Sequence, residues 1–150
     1  MTKIRGYAAI GLYSPQNDLN VGAAMRAVGC YRAAFLAISG GNADKCGATD
    51  TASMWRDIPF IRVDDLHNII PYDCIPVAVD LVDGAESLID YKHPERAFYI
   101  FGPENGTLSN GVISWCRDKV MIPTYDCMNL AATVNVVLYD RMAKRQREVA

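Results

Sequence analysis

The sequence predicts an α/β fold, a mostly parallel sheet flanked by helices, on two observations. Short apolar runs of strand length, such as Tyr7 to Tyr13, Ile75 to Val79 and Ala97 to Phe101, recur along the chain, and helical patterns separate them. Runs that are apolar throughout suit strands buried on both faces of a parallel sheet, and alternation with helices gives right-handed crossovers. A third observation concerns function. Three strand ends carry residues that a packed core does not require: Asn20-Val21-Gly22-Ala23-Ala24-Met25-Arg26, Gly102-Pro103-Glu104-Asn105-Gly106 and Cys127-Met128-Asn129-Leu130. The carboxyl ends of parallel strands open onto one crevice, so these groups can share a small-molecule site.

Taken in order, Tyr7 to Tyr13 reads as a buried strand, and Ser14 to Leu19 as a loop feeding a helix from about Val21 to Cys30. Ala33 to Ile38 is a second strand. Ser39 to Thr51, with Gly40, Gly41 and Gly47, reads as an exposed, mobile loop, long enough to suggest a role of its own. Phe60 to Val63 is a short strand, after which Asp64-Asp65 caps a brief helix that ends at Ile70 before Pro71. Ile75 to Val79 is a strand, Glu86 to Ile89 a helical turn, Ala97 to Phe101 a strand, Asn110 to Cys116 a helix and Val120 to Ile122 the last strand. A long helix from about Met128 to Gln146 follows.

A chain of 150 residues fits one domain, taken as residues 1–150. With 51% hydrophobic and 21% charged residues and no apolar run near the roughly 18 residues of a membrane span, it reads as soluble. Met1-Thr2-Lys3-Ile4-Arg5 lacks the apolar core of a signal peptide. Five scattered cysteines without a Cys-x-x-Cys pair argue against a metal site or disulfide framework and for a reducing cytoplasm. A net charge of -2 provides no global field for nucleic acid. Local cations would have to supply one: Lys3 and Arg5, Arg26 and Arg32, or Arg141, Lys144, Arg145 and Arg147, the last group reading equally as a solvated helix face.

Each of the three segments has a structural and a functional reading. Asn20 caps the first helix, and Gly22, Ala23 and Ala24 leave a bare surface for close approach of another molecule or backbone. Arg26 leans over Gly22 and Ala23 toward the strand-end crevice, or is a surface arginine. Glu104 stands at the sheet end, where it accepts from an arginine or simply shapes a turn. Asn129 satisfies loop backbone groups at the start of an apolar helix. Trp55 and Arg56 either clamp RNA or are a buried indole beside a surface arginine. Tyr125 packs or contacts a ligand, and His67 reads as a surface helix residue.

Together the motifs resemble those of the TrmH-like SPOUT RNA methyltransferases: Asn20 with Arg26, the Phe101-Gly102-Pro103-Glu104 turn, and Ile122-Pro123 followed by Met128-Asn129-Leu130 and Val136-Val137-Leu138-Tyr139. The likeness runs from about Tyr7 to Tyr139. It implies a C-terminal deep trefoil knot, S-adenosylmethionine as cofactor, an RNA substrate, and a homodimer whose interface completes the site. By motif position, Gly102, Ile122, Cys127 and Met128, with Leu81 as a looser candidate, line the cofactor pocket. Arg26 corresponds to the catalytic arginine, positioned by Asn20 and Glu104, while Asn129 supports the cofactor loop or substrate. No metal or membrane is implied.

The implied activity is RNA 2'-O-ribose methylation, with tRNA as the expected substrate. Arginine stays protonated in proteins, so Arg26 suits a phosphate clamp as well as the proton-accepting role proposed in the family. Two alternatives remain: base methylation by the same knotted class, and a module that keeps the pocket without catalysis. Relatives usually carry serine where Cys127 stands and often where Ala131 stands, which motivates the second.

Overall fold

The computed structural model describes residues 5–149, so Lys3 and the rest of the Met1 to Ile4 start lie outside the described residues. Seven strands form one sheet: β1 (Tyr7–Tyr13), β2 (Leu36–Ser39), β3 (Phe60–Arg62), β4 (Ile75–Val79), β5 (Glu86–Ser87), β6 (Arg96–Phe101) and β7 (Asp118–Met121). Their order is β3-β2-β1-β6-β4-β7-β5, and each neighbouring pair is parallel. Helices α1 (Asp18–Cys30), α2 (Asn110–Trp115) and α3 (Leu130–Val149) flank it.

Strand β6 explains why its run is unbroken and apolar. Tyr99 and Phe101 point into the core shared with Met25, Val134 and Leu138 of α1 and α3, while Phe98 and Ile100 point into the opposite core with Phe35, Leu108 and Val112. Both faces are covered, so neither alternate position tolerates a solvated side chain.

Several boundaries depart from the sequence reading. Glu86 to Ile89 begins as β5 rather than a helical turn, because Glu86 and Ser87 pair with Val120 and Met121 of β7. Helix α1 starts earlier than expected and is capped by Asn17, whose side chain accepts from Leu19 N at 2.7 Å, so Asn20 is a first-turn residue and not the cap. Asp65 caps the short 3-10 turn Leu66–Ile69 as expected. His67 is exposed there and stacks on Trp115 at 5.2 Å.

The segment after β2 is tied to α1 rather than standing free. Asp18 Oδ1 accepts from Asp44 N at 2.9 Å, Gly47 N donates to Asp18 O at 2.9 Å, and the Thr49 hydroxyl donates to Leu19 O. The bare surface at Gly22 receives this backbone: a Cβ there would stand 2.6 Å from Gly47 O. Farther along the same face, a Cβ on Gly29 would stand 2.7 Å from Met54 Sδ. Gly22, Arg26 and Gly29 are spaced i, i+4, i+7, so one helix face carries two gaps for the loop with one long cation between them. Cys46 in this segment is pushed up to about 11, first by burial and then by the charges of Asp50 and Asp18, so it remains a thiol.

At the amino ends of the strands, α3 is fastened by polar groups. Arg141, 7% exposed, donates to Pro94 O, Glu95 O and Tyr7 O and to the Tyr99 hydroxyl. Lys144 donates to Leu88 O and Tyr91 O and pairs with Asp140 at 2.8 Å. Two of the expected RNA-facing cations are therefore structural. Among the described residues no helix is long and apolar enough to cross a membrane, and no group of three or more His, Cys, Asp or Glu could hold a metal ion.

Candidate active site

The three segments meet at the carboxyl ends of β1, β4, β6 and β7. Asn20 on α1 donates through Nδ2 to Glu104 Oε1 at 3.1 Å, and its own Oδ1 accepts from Asn129 Nδ2 at 2.9 Å. Glu104 Oε2 accepts from Gln16 N at 2.9 Å. Asn129 Oδ1 in turn accepts from Ala131 N at 2.9 Å and Ala132 N at 3.2 Å, capping α3. Asn20 donates to the Glu104 loop and accepts from Asn129, whose own oxygen caps α3, so the two amides hold α1, the Glu104 loop and the start of α3 in one mutual arrangement.

Beside this relay lies a cleft. Leu81, Gly102, Ile122, Cys127 and Met128 all line it, together with Glu104 and with Asp80 and Thr133, which sequence reasoning had missed. Its walls are largely apolar side chains and loop backbone, suited to a flat aromatic group edged by hydrogen-bonding atoms. Gly102 is required by close approach: a Cβ there would stand 2.7 Å from Asp80 Oδ2. Tyr125, on the loop above the cleft, is fully exposed rather than packed.

Asp80 follows β4 and organises the cleft floor. Its Oδ1 accepts from Leu81 N at 2.8 Å and its Oδ2 from Leu108 N at 2.7 Å, fixing the far end of the Gly102 loop. A carboxylate placed directly after the buried Ile75 to Val79 run was the available signal. Replacing Asp80 with Ala is expected to cost about 1–3 kcal/mol, because the Leu108 N–H loses its partner, and Asn is expected to fall between Ala and the parent. Urea unfolding checks the ranking, and equal midpoints for all three proteins would remove Asp80 from this role.

Arg26 is placed differently from the expectation. Its Nη1 donates to the Thr51 hydroxyl on the loop beyond β2, while Asn20 and Glu104 are bonded to each other and not to it. Six residues of helix turn through about 600° and rise about 9 Å, so Arg26 points roughly 120° away from the Asn20 face. Within one chain, the exposed guanidinium and the cleft are not brought together.

Comparison with known proteins gives this geometry a context. The SpoU methyltransferase AviRb from Streptomyces viridochromogenes superposes with a TM-score of 0.84 at 18% identity, over 97% of this chain and 62% of its own, and it has also been solved in complex with AdoMet. The A. aeolicus TrmH/SpoU tRNA modifying enzyme gives 0.83 at 16% identity, over 97% of this chain and 79% of its own. A structure addressing 2-OH methylation of C/U34 on tRNA gives 0.78 at 19%, over 95% of this chain and 98% of its own. This chain spans about three fifths of the length of AviRb. No curated protein matches it in sequence. At such identities the superpositions establish the fold, a parallel α/β sheet of the SPOUT kind. Residues 7–139, comprising every strand and the start of α3, match the model of the SpoU rRNA methylase family, and the chain belongs to that family.

Proposed function

We propose that this chain is an S-adenosylmethionine-dependent RNA 2'-O-ribose methyltransferase that acts on tRNA as a homodimer in the cytoplasm. The observation that carries the reading is the Glu104–Asn20–Asn129 relay beside a cleft lined by all five residues expected to hold the cofactor. The choice of tRNA is supported by the tRNA 2-OH methylation structure, whose length this chain nearly matches.

The cleft suits the cofactor: Leu81, Ile122 and Met128 offer apolar walls, and the loops around Gly102 and Cys127 offer backbone groups. When bound, the cofactor supplies a methyl group on a sulfonium whose charge disappears during transfer. Apolar walls that exclude water favour that loss of charge. The relay keeps the cleft formed before substrate arrives, so holding oxygen in line with the methyl costs little rearrangement. Arg26 grips the phosphate beside the reacting ribose through its planar donor fork, and the hydroxyl proton passes to water. Ribose is favoured over a base because both carboxylates at the cleft, Asp80 and Glu104, already accept N–H donors from this chain.

Two features favour a second copy. Arg26 points away from its own cleft, and the cleft volume of about 140 Å³ falls short of the roughly 300 Å³ at which ligand pockets begin. The partner's surface would complete the wall and present its own arginine. The C-terminal knot implied by the family likeness belongs to this same proposal.

Labelled cofactor incubated with unmodified tRNA, followed by nucleoside mass spectrometry, tests the reading. It requires 2'-O-methylated nucleosides. A methylated base would replace the ribose assignment, and tight cofactor binding by calorimetry without any transfer would leave a binding module.

A further inference from the structure

The loop that grips Arg26 carries an aromatic side chain that the fold does not bury. Of the two readings of Trp55, the buried indole does not hold: Trp55 is 49% exposed, and the Arg56 guanidinium carbon lies 5.5 Å from its ring centroid. The pair sits on a 3-10 turn, Met54–Arg56, that is firmly built. Asp50, 5% exposed, accepts from Met54 N at 2.9 Å and Trp55 N at 3.1 Å, and Ser53 enters the turn with φ of 51°. Met54 fills the gap at Gly29, while Thr51 of the same loop takes the hydrogen bond from Arg26. The backbone that carries Trp55 is thus held against α1, the helix that carries Arg26.

We infer that Trp55 and Arg56 form a stacking platform for a single-stranded nucleobase of the RNA substrate, adjacent to the phosphate held by Arg26. This rests on the methyltransferase reading and adds to it the residues that recognise RNA. The net charge of -2 gives the chain no long-range pull on RNA, and Arg141 and Lys144 are spent on fastening α3. Local anchors must then provide the affinity. An indole backed by a guanidinium offers a flat surface that any base can cover, and Arg26 and Arg56 on the same loop-helix unit complement the phosphates on either side.

Substitutions of Trp55 distinguish stacking from packing. Trp55→Ala is expected to raise KM for unmodified tRNA about tenfold or more, with cofactor binding unchanged. Trp55→Phe should retain most of the affinity, and Trp55→Leu, which keeps apolar bulk without a π face, should behave like Ala. Leu equal to Phe, or Ala within about twofold of the parent, overturns the platform. Quenching of indole fluorescence by single-stranded oligouridylate reads the platform without catalysis. It should vanish in Trp55→Phe, where Trp115 remains packed on His67. Quenching with no methyl transfer by the parent would sink the methyltransferase reading alone, and transfer with unchanged quenching in Trp55→Phe would sink the platform alone.

Discussion

Methyl transfer by Arg26→Ala is expected to fall at least about a hundredfold while cofactor binding stays within about twofold, because the proposed role of the guanidinium is on the substrate and the residue lies outside its own cleft. Mixing separates the two possible placements of this residue. If Arg26 serves the cleft of a partner, a dimer joining one Arg26→Ala protomer to one Asn129→Ala protomer contains one intact site. Its cleft comes from the first protomer and its arginine from the second. Random reassortment then restores about a quarter of the parent activity from two inactive proteins, because half the dimers are hybrids with one of two sites working. No recovery from exchanged subunits would mean that each Arg26 works on its own cleft. That outcome would require α1 to rotate or its neighbouring loop to release the arginine from Thr51.

The second large effect concerns stability and lies at the other end of the sheet. Arg141 has only donors, so the Tyr99 hydroxyl accepts from it at 3.1 Å and spends its own proton on His93 Nδ1 at 2.7 Å. His93 Nε2 therefore carries the ring hydrogen and donates to Asp140 Oδ2 at 2.7 Å. Burial pushes the Tyr99 hydroxyl up to about 12, which keeps it a donor. Burial also lowers His93 to about 4; Asp140 opposes that shift, and the charges of Arg141 and Lys144 add to it. Removing the ring by His93→Ala is expected to cost about 3 kcal/mol at neutral pH, from the cavity and from the Tyr99 hydroxyl left without its acceptor, while Asp140 keeps Lys144.

The same group sets a pH dependence. Its folded value lies below the ordinary 6.5, so between pH 6.5 and about 4 the unfolded chain binds a proton that the folded chain refuses. Stability should fall as pH drops through that window, by about 3 kcal/mol at most. His93→Gln retains a donor and an acceptor but does not titrate, so its urea midpoint should decline less over the same range. Parallel pH profiles for Gln and parent would show that His93 contributes nothing to the acid sensitivity.

The strands were legible wherever a run was apolar on both faces. Phe98 to Phe101 had no other home, and Ile75 to Val79 followed the same logic. Strand β5 escaped because Glu86 and Ser87 carry no apolar signal; their conformation is imposed by β7, whose residues come over thirty positions later. The cap of α1 was misplaced because Asn17, Asp18 and Asn20 are all chemically able to serve, and the loop packed on Asp18 decides among them. At the site, residue identities could be read, but the bond between Asn20 and Asn129 joins positions 109 apart, which no local pattern encodes. The direction of Arg26 was readable from helix arithmetic alone. Its bond to Thr51 was not, because Gly22 and Gly29 admit the loop only as a tertiary arrangement.

The strand order also constrains how the molecule is made. As the chain emerges during synthesis, β1, β2 and β3 can zip together first, but β4 has no neighbour until Arg96–Phe101 appears, and β5 none until Asp118–Met121. The newborn chain must keep one apolar strand waiting with both edges unsatisfied, then admit late arrivals between segments already formed. Such insertion is slow and exposes sticky edges meanwhile. Assembly of this chain is therefore expected to be limited by the arrival of Arg96–Phe101 and Asp118–Met121.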